Sequence, residues 1–258
     1  MTEEMKNNHQ DQEVINETNV KPKGNRFVNT LLFIIWMIVV SIPTMFAFGA
    51  IGAVKYNNTY GFVISSVLFV FLSILLIWGV TKYYKSRSYN RPLKKYAWKD
   101  FGINVGIFAI LRAVVLILTY LMIWITGDEM SENDKILMQQ LEGFSNMSDP
   151  LTIMAIVIFF ISVTFIAPYV EELVFRGIFK ETIFSKASFW LPMILSSIIF
   201  SLNHGAGNFI AFLLYLFMGV GMYVAYARRN DIRDSMTVHF LNNALASISM
   251  IFMMIEGM

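Results

Sequence analysis

Residues 151–177, LTIMAIVIFFISVTFIAPYVEELVFRG, combine a long apolar run with three charges. The first sixteen residues carry no charge, and Glu171, Glu172 and Arg176 follow shortly after them. An apolar run of about 20 residues is long enough for a helix to cross a bilayer. A charge at mid-bilayer costs on the order of 3 kcal/mol on insertion scales, so the three charges indicate a functional site.

The composition of the whole chain is that of an integral membrane protein. Its 258 residues are 56% hydrophobic, and the mean hydropathy is +0.58. Both values are too high for a soluble domain of this size. The absence of cysteine excludes disulfides, thiolate metal sites and thiol nucleophiles, and the net charge of +2 is too small to suggest a nucleic-acid partner.

The hydropathy pattern predicts an all-α, polytopic membrane helix bundle of about seven transmembrane helices. Each apolar stretch is consistent with roughly 20 residues of helix. Pro43 is expected to kink the first of them. Residues 1–26 are polar and without apolar periodicity, which predicts a disordered tail ahead of one membrane domain, 27–258. The predicted spans are 27–54, 60–81, 101–126, 151–175, 188–204, 208–227 and 235–255.

The loops flanking the third predicted span differ in charge. The loop before it holds the basic residues Lys82, Lys85, Arg87, Arg91, Lys94, Lys95 and Lys99. The loop after it holds the acidic residues Asp128, Glu129, Glu132, Asp134, Glu142 and Asp149, against the single Lys135. The positive-inside rule places the basic loop in the cytoplasm. We therefore expect a multi-pass protein of the cell membrane with a cytoplasmic N-terminus and an external C-terminus.

The two adjacent glutamates differ in their helical neighbours. Glu172 and Arg176 are four residues apart, so they share a helix face and can form an ion pair. Glu171 points about 100° away and lacks that partner. Pro168 cannot donate a backbone hydrogen bond, so the helix is expected to bend near the pair and admit water. The pattern predicts one paired carboxylate and one that is free to act as a base.

Two further polar groups lie in apolar segments: His204, and His239 with Asn243. Measured from the turn near residue 186, Glu171 and His204 both lie about 22 to 27 Å along antiparallel helices, so they are nearly level. His239 and Asn243 are four residues apart and share a face, about 12 and 18 Å from the turn near residue 231. Helix tilt or an extension of the fourth helix must absorb this difference in depth. These residues predict a polar cavity within the membrane.

Structural roles explain the same residues without catalysis. A buried glutamate–arginine pair holds helices in register, and histidine or asparagine in a membrane helix forms interhelical hydrogen bonds. Arg112, midway along the third span, fits two alternatives: a partner of the polar cluster, or a side chain that reaches the interface. The sequence leaves both alternatives open.

The segments EELVFRG, FSLNH and HFLNN, in this order, resemble the signature of the CPBP family, the CAAX-processing and bacteriocin-processing intramembrane proteases also called Abi proteins. The resemblance covers residues 151–250. The family patterns are EExxxR, FxxxH and HxxxN. The matching residues are Glu171, Glu172, Arg176, Phe200, His204, His239 and Asn243.

The resemblance implies an endopeptidase with a polar cavity that faces the cytoplasm. Glu171 would activate a water molecule with help from His204, and His239 and Asn243 would stabilise the oxyanion of the tetrahedral intermediate. Glu172 and Arg176 would support the site.

Zinc remains open as a cofactor, because two histidines and one glutamate form a known zinc ligand set. The candidate ligands are Glu171, His204 and His239. Glu171 cannot easily serve as both ligand and general base, so we favour a glutamate-activated water without a cofactor.

The leading functional hypothesis is an intramembrane endopeptidase that cleaves a peptide or membrane-tethered protein near the cytoplasmic face. The alternative is a non-catalytic immunity or peptide-binding protein that uses the same cavity. A proton-coupled transporter is a third class, although the sequence contains no visible inverted repeat. The expected partners are the substrate and the lipid bilayer, with no nucleic acid; the sequence does not define an oligomeric state.

Overall fold

A computed structural model describes residues 24–88, 95–144, 146, 148–205 and 207–256. Within these ranges the chain forms helices and no β-strand. Of the predicted tail, residues 1–23 lie outside the described residues, and Arg26 already begins the first helix. Of the basic loop, Arg91 and Lys94 also lie outside them.

The described residues contain nine helices, which we number along the chain. They are α1 (Arg26–Val39), α2 (Ile42–Lys55), α3 (Thr59–Arg87), α4 (Trp98–Thr126), α5 (Glu132–Leu141), α6 (Pro150–Ile183), α7 (Trp190–Asn203), α8 (Phe209–Arg229) and α9 (Ile232–Glu256). Within α6, the α-helical segments Pro150–Ile161 and Ala167–Glu172 alternate with the π-helical segments Ser162–Ile166 and Leu173–Ile183.

The prediction of an all-α polytopic bundle is confirmed. In the described part of the chain, six helices are long and apolar enough to cross a membrane, counting α1 and α2 together as one span of 30 residues. The seventh predicted span, 188–204, corresponds to α7, which is apolar but only 14 residues long. His204 therefore follows the end of a short helix and does not lie inside a full span.

Local sequence signals explain several helix ends. The side chains of Asn58, Asp149 and Asn208 accept hydrogen bonds from backbone N–H groups of α3, α6 and α8, as N-cap residues do. The first span is interrupted at residues 40–41, shortly before Pro43. The predicted kink near Pro43 is thus confirmed, because proline lacks the amide hydrogen that a continuous helix needs.

The outer surface of the bundle is apolar, as a lipid-facing surface must be. Large hydrophobic side chains are exposed along the long helices, among them Ile38, Phe71 and Ile117. In a soluble protein, contiguous apolar exposure on this scale would promote aggregation. The exposure agrees with the membrane assignment made from the sequence.

The contacts of α6 and α8 position the candidate site. Helix α6 packs against α1, α2, α3 and α9, while α8 packs against α4, α7 and α9. At 34 residues, α6 is about 50 Å long and exceeds the roughly 30 Å hydrocarbon layer. It continues eight residues beyond the predicted end at 175, which matches one of the two alternatives for the difference in depth between His204 and His239.

Candidate active site

Glu172 and Arg176 form an ion pair that is fully buried in the bundle. Arg176 Nη1 donates to Glu172 Oε1 over 3.0 Å, and neither side chain is exposed. Arg176 Nη2 also donates to the carbonyl oxygen of Gly219 on α8, at 3.1 Å. The ion pair predicted from the spacing of four residues is confirmed, and it links α6 to α8.

Glu171 has surroundings of a different kind. Its Oε2 atom is buried and has no hydrogen-bond partner among the described residues. Two imidazoles lie near this same oxygen, with His239 Nε2 at 3.8 Å and His204 Nε2 at 4.0 Å. The prediction that Glu171 lies near both histidines but outside the arginine pair is confirmed.

The hydrogen bonds of the two histidines fix which ring nitrogen carries the proton. His204 Nδ1 lies 2.8 Å from the carbonyl oxygen of Phe200, which can only accept, so Nδ1 donates. His239 Nδ1 lies 2.8 Å from Glu172 Oε1, the carboxylate oxygen that Arg176 also contacts, so this nitrogen donates as well. In the neutral form of each ring, Nε2 is then an acceptor. The two Nε2 atoms and one carboxylate oxygen therefore lie around the same space.

The position of His204 depends on a tight turn at the end of α7. Its backbone N–H donates to the carbonyl oxygen of Ser201, and Gly205 follows with a φ of +59°, which favours glycine. The ring stacks on Tyr215 of α8, with centroids 4.9 Å apart and an angle of 21°. The turn and the stacking hold the imidazole in place at the end of a short helix.

Asn243 donates a hydrogen bond to a backbone carbonyl oxygen of α6. Its Nδ2 donates to the carbonyl oxygen of Val163 over 2.9 Å, inside the segment Ser162–Ile166. In a π-helix the donor for this oxygen would come from residue 168, which is a proline and has no N–H. One amide hydrogen of Asn243 is thus committed to the backbone, and the side-chain amide carries a second one.

The structure decides between the two alternatives for Arg112. Its Nη1 donates to Asn242 Oδ1 over 3.1 Å, so Arg112 is a partner of the polar cluster. Its Nε is buried without a hydrogen-bond partner in the described part of the chain. A cation therefore lies beside Asn242, on the face of α4 that points into the bundle.

Sequence reasoning missed Ser131, Asp134 and Tyr215. Ser131 Oγ and Tyr215 OH share a hydrogen bond of 2.8 Å, and Tyr215 OH donates to Asp134 Oδ1 at 3.4 Å. Burial raises the pKa of Asp134, which the hydrogen bonds from Ser131 and Tyr215 partly oppose. The only sequence signal was the capping pattern that begins α5 at Ser131, where the side chain accepts from Asp134 N.

A cavity of about 300 Å³ reaches the two histidines. Glu171 does not line the cavity. Its Oε2 atom faces the Nε2 atoms of His204 and His239, which do line it. Polar side chains and methionines dominate the lining, which mixes hydrogen-bonding groups with adaptable apolar surface. The lining includes Arg112, Glu129, Asn133, Asp134, Tyr215, His204, His239, Asn242, Asn243, Met122, Met130, Met218, Met250 and Met253.

The residues were also tested as a metal site. In the ranges that the structure describes, no three His, Cys, Asp or Glu side chains come together in a way that could hold a metal ion. Glu171, His204 and His239 do converge, but their facing atoms stay 3.8 to 4.0 Å apart. Zinc bound by these three residues therefore stays an untested prediction.

The fold and site define a class: a polytopic helical membrane protein with a glutamate and two histidines buried between its helices. Residues 153–245 match the family model described as Type II CAAX prenyl endopeptidase Rce1-like. The resemblance is thereby confirmed, and this segment is consistent with a CPBP family intramembrane protease. No curated protein and no solved structure matches the chain.

The matched segment coincides with the site. It lies inside the predicted core 151–250 and covers every residue of the three motifs. The match indicates a CAAX-type intramembrane protease, which confirms the general class of enzyme predicted from the sequence.

Proposed function

We propose that the chain is an endopeptidase in which Glu171 activates the attacking water. The observation that carries this proposal is the environment of Glu171 Oε2, which faces two imidazole Nε2 atoms and has no cation or hydrogen-bond donor of its own among the described residues. A carboxylate oxygen without a partner is available to accept a proton. A water molecule beside this oxygen would donate hydrogen bonds to the carboxylate and to an imidazole Nε2.

The reaction needs one proton to move twice. Glu171 takes a proton from the water as the water oxygen bonds to the carbonyl carbon of the substrate, which gives a tetrahedral intermediate. The same proton then passes to the leaving amine nitrogen as the peptide bond breaks, and Glu171 returns to its ionised state. His204, with Nε2 at 4.0 Å from Glu171, accepts a hydrogen bond from the water and orients it.

The oxyanion of the intermediate requires hydrogen-bond donors. The second amide hydrogen of Asn243 is one candidate, and His239 is another once its Nε2 has gained a proton. Arg112 adds a positive charge to the same cavity. Glu172 acts through His239 as a positioning residue, because its Oε1 holds His239 Nδ1 at 2.8 Å and so directs Nε2 towards Glu171.

The proposal is tested by comparing the peptide termini of membrane proteins from cells that produce the wild type or Glu171→Gln. The variant preserves the shape of the side chain and removes the base. We expect a set of new N-termini with the wild type that disappears with the variant. Glu256→Gln, which changes an exposed glutamate at the end of α9, serves as the matched control and should retain the set. Identical termini with wild type and Glu171→Gln would reject the endopeptidase.

The same experiment addresses the alternative of a non-catalytic immunity or peptide-binding protein. Such a protein would bind its partner through the cavity without cleaving it. Its protective or binding phenotype would therefore survive Glu171→Gln, and no fragments would depend on Glu171.

The zinc alternative has its own test. Activity that is lost with a chelator and restored by added zinc would contradict a glutamate-activated water as the complete mechanism. We expect activity to persist after chelation.

A further inference from the structure

The ends of the bundle differ in charge, and the described helices show which residues lie at each end. The C-terminal end of α3, the N-terminal end of α4 and the turn between α8 and α9 lie at one end, because consecutive spanning helices alternate in direction. We call this the basic end; its described cations include Lys82, Lys85, Arg87, Lys95, Lys99, Arg228, Arg229 and Arg233. The opposite end, which we call the acidic end, carries the loop after α4 and helix α5.

The residues that line the cavity lie towards the acidic end of the bundle. Its lining residues on α4 run from the middle of the helix towards its C-terminus, and those on α8 lie in its N-terminal half. Those beyond His239 on α9 lie towards its C-terminus, at the same end. Six more come from the loop before α5 and from α5 itself: Glu129, Met130, Ser131, Asn133, Asp134 and Leu137.

Polar contacts close the space between α4, α8 and α9 at the basic end. None of the lining residues comes from the described parts of the basic end. Asp234 is fully buried there, where it accepts from Arg228 Nη2 at 2.9 Å and from Asn104 Nδ2 at 2.8 Å. Tyr96 and Thr237 share a hydrogen bond of 2.9 Å beside them. These contacts join α4, α8 and α9 between the histidines and the basic end.

Two expectations from the sequence therefore disagree. The family resemblance implies a cavity that faces the cytoplasm, whereas the positive-inside rule places the acidic end outside. The rule rests on many cations of this chain, while the direction of the cavity was carried over from other proteins. The lining residues themselves link the cavity to the acidic end.

We propose that the cavity opens on the non-cytoplasmic face and admits peptide segments presented there. This inference rests on the proposed function, and it names the side and the chemistry of the substrate. The five lining methionines accept varied apolar side chains, because a flexible thioether fills irregular gaps. The substrate class is an apolar segment of an exported peptide or an external tail of a membrane protein.

The absence of native cysteine allows a direct test by single-cysteine labelling. Glu129→Cys places a thiol at an exposed lining position of the acidic end, and Ser86→Cys places one at an exposed position of the basic end. A membrane-impermeant maleimide is added to intact cells and to permeabilised cells. We expect Glu129→Cys to react in intact cells and Ser86→Cys to react only after permeabilisation. The reverse pattern would overturn the proposal.

A third variant tests the cavity and not only the orientation. Thr119→Cys places a thiol among the lining residues inside α4. A small charged methanethiosulfonate should reach it in intact cells. Reaction only after permeabilisation, or no reaction from either side, would overturn the proposal, since the cavity would then open elsewhere or exclude water.

The labelling outcome does not depend on catalysis. The same thiols in a Glu171→Gln background should react equally, so an inactive protein still reports the direction of the cavity. If the proposed function is wrong, no fragments will depend on Glu171. If this inference is wrong, the cysteines will be labelled from the opposite side of the membrane.

Discussion

Two buried acidic groups in this molecule have opposite surroundings. At the basic end, Asp234 meets Arg228 at 2.9 Å and Arg229 at 3.0 Å. At the centre, the Oε2 atom of Glu171 lies 3.8 Å from His239 Nε2 and 4.0 Å from His204 Nε2. Both carboxylates lie within the helix bundle. Guanidinium nitrogens contact the first carboxylate, whereas the ion pairs of the described residues give the second no guanidinium contact.

The difference distinguishes a carboxylate that stabilises packing from one that is available for catalysis. A buried carboxylate costs free energy unless cations and donors compensate it, so a paired one stabilises packing and an unpaired one needs another reason to persist. Polar groups left unsatisfied in a folded protein are concentrated at functional sites. The contrast also exists between neighbours, because Glu172 has an arginine nitrogen at 3.0 Å and Glu171 has only imidazole contacts among the described ion pairs.

The largest expected effect comes from the adjacent glutamates. Glu172→Gln leaves the Arg176 cation buried without its partner and should lower the free energy of unfolding by about 3 to 5 kcal/mol. Glu171→Gln breaks no guanidinium pair and should leave stability unchanged or slightly higher. Thermal unfolding of both variants in detergent measures the difference. Equal losses for the two variants would remove the distinction between them.

A smaller effect is expected at the basic end. Asp234→Asn removes the charge that Arg228 and Arg229 share, and both arginines are partly exposed, so about 2 kcal/mol should be lost. The activity of the folded fraction should stay at the wild-type value. The comparison uses unfolding and cleavage on the same preparation, with Glu256→Gln as the control. A large loss of activity in folded Asp234→Asn would show that this cluster is more than structural.

The smallest effect is expected at Tyr215. Tyr215→Phe keeps the ring that stacks on His204 and removes the hydroxyl that bonds Ser131, which should cost about 1 kcal/mol. Tyr120→Phe is a matched control, because Tyr120 is exposed on the outer surface. Unfolding in detergent should separate the two variants. Indistinguishable stabilities would mean that the contact between α5 and α8 contributes nothing.

Helix periodicity explains what the sequence could predict. The pairing of Glu172 with Arg176 follows from a spacing of four residues, and the convergence of Glu171 with His204 follows from equal distances to one turn. Both depend only on local geometry. The meeting of His239 with Glu171 needed either helix tilt or an extended α6, and the sequence did not specify which.

The rest of the site depends on contacts that periodicity does not encode. Ser131 and Asp134 reach the cavity because α5 folds back against the bundle. Their sequence separation from Tyr215 does not predict this contact. The side chain of Arg112 could reach either the membrane interface or the polar cluster. The packing of α4 against α9 brings it to Asn242. The commitment of Asn243 to Val163 depends on a π-helical segment beside Pro168, a backbone feature without a side-chain pattern.

The most direct test of the account is the cleavage rate of purified protein on a peptide whose fragments depend on Glu171 in cells. Wild type and Glu171→Gln are compared at equal folded concentration. Removal of a general base typically costs 10²- to 10⁴-fold in rate, so we expect a loss of about this size with unfolding unchanged. A Glu171→Gln protein that cleaves the peptide at the wild-type rate would contradict the account.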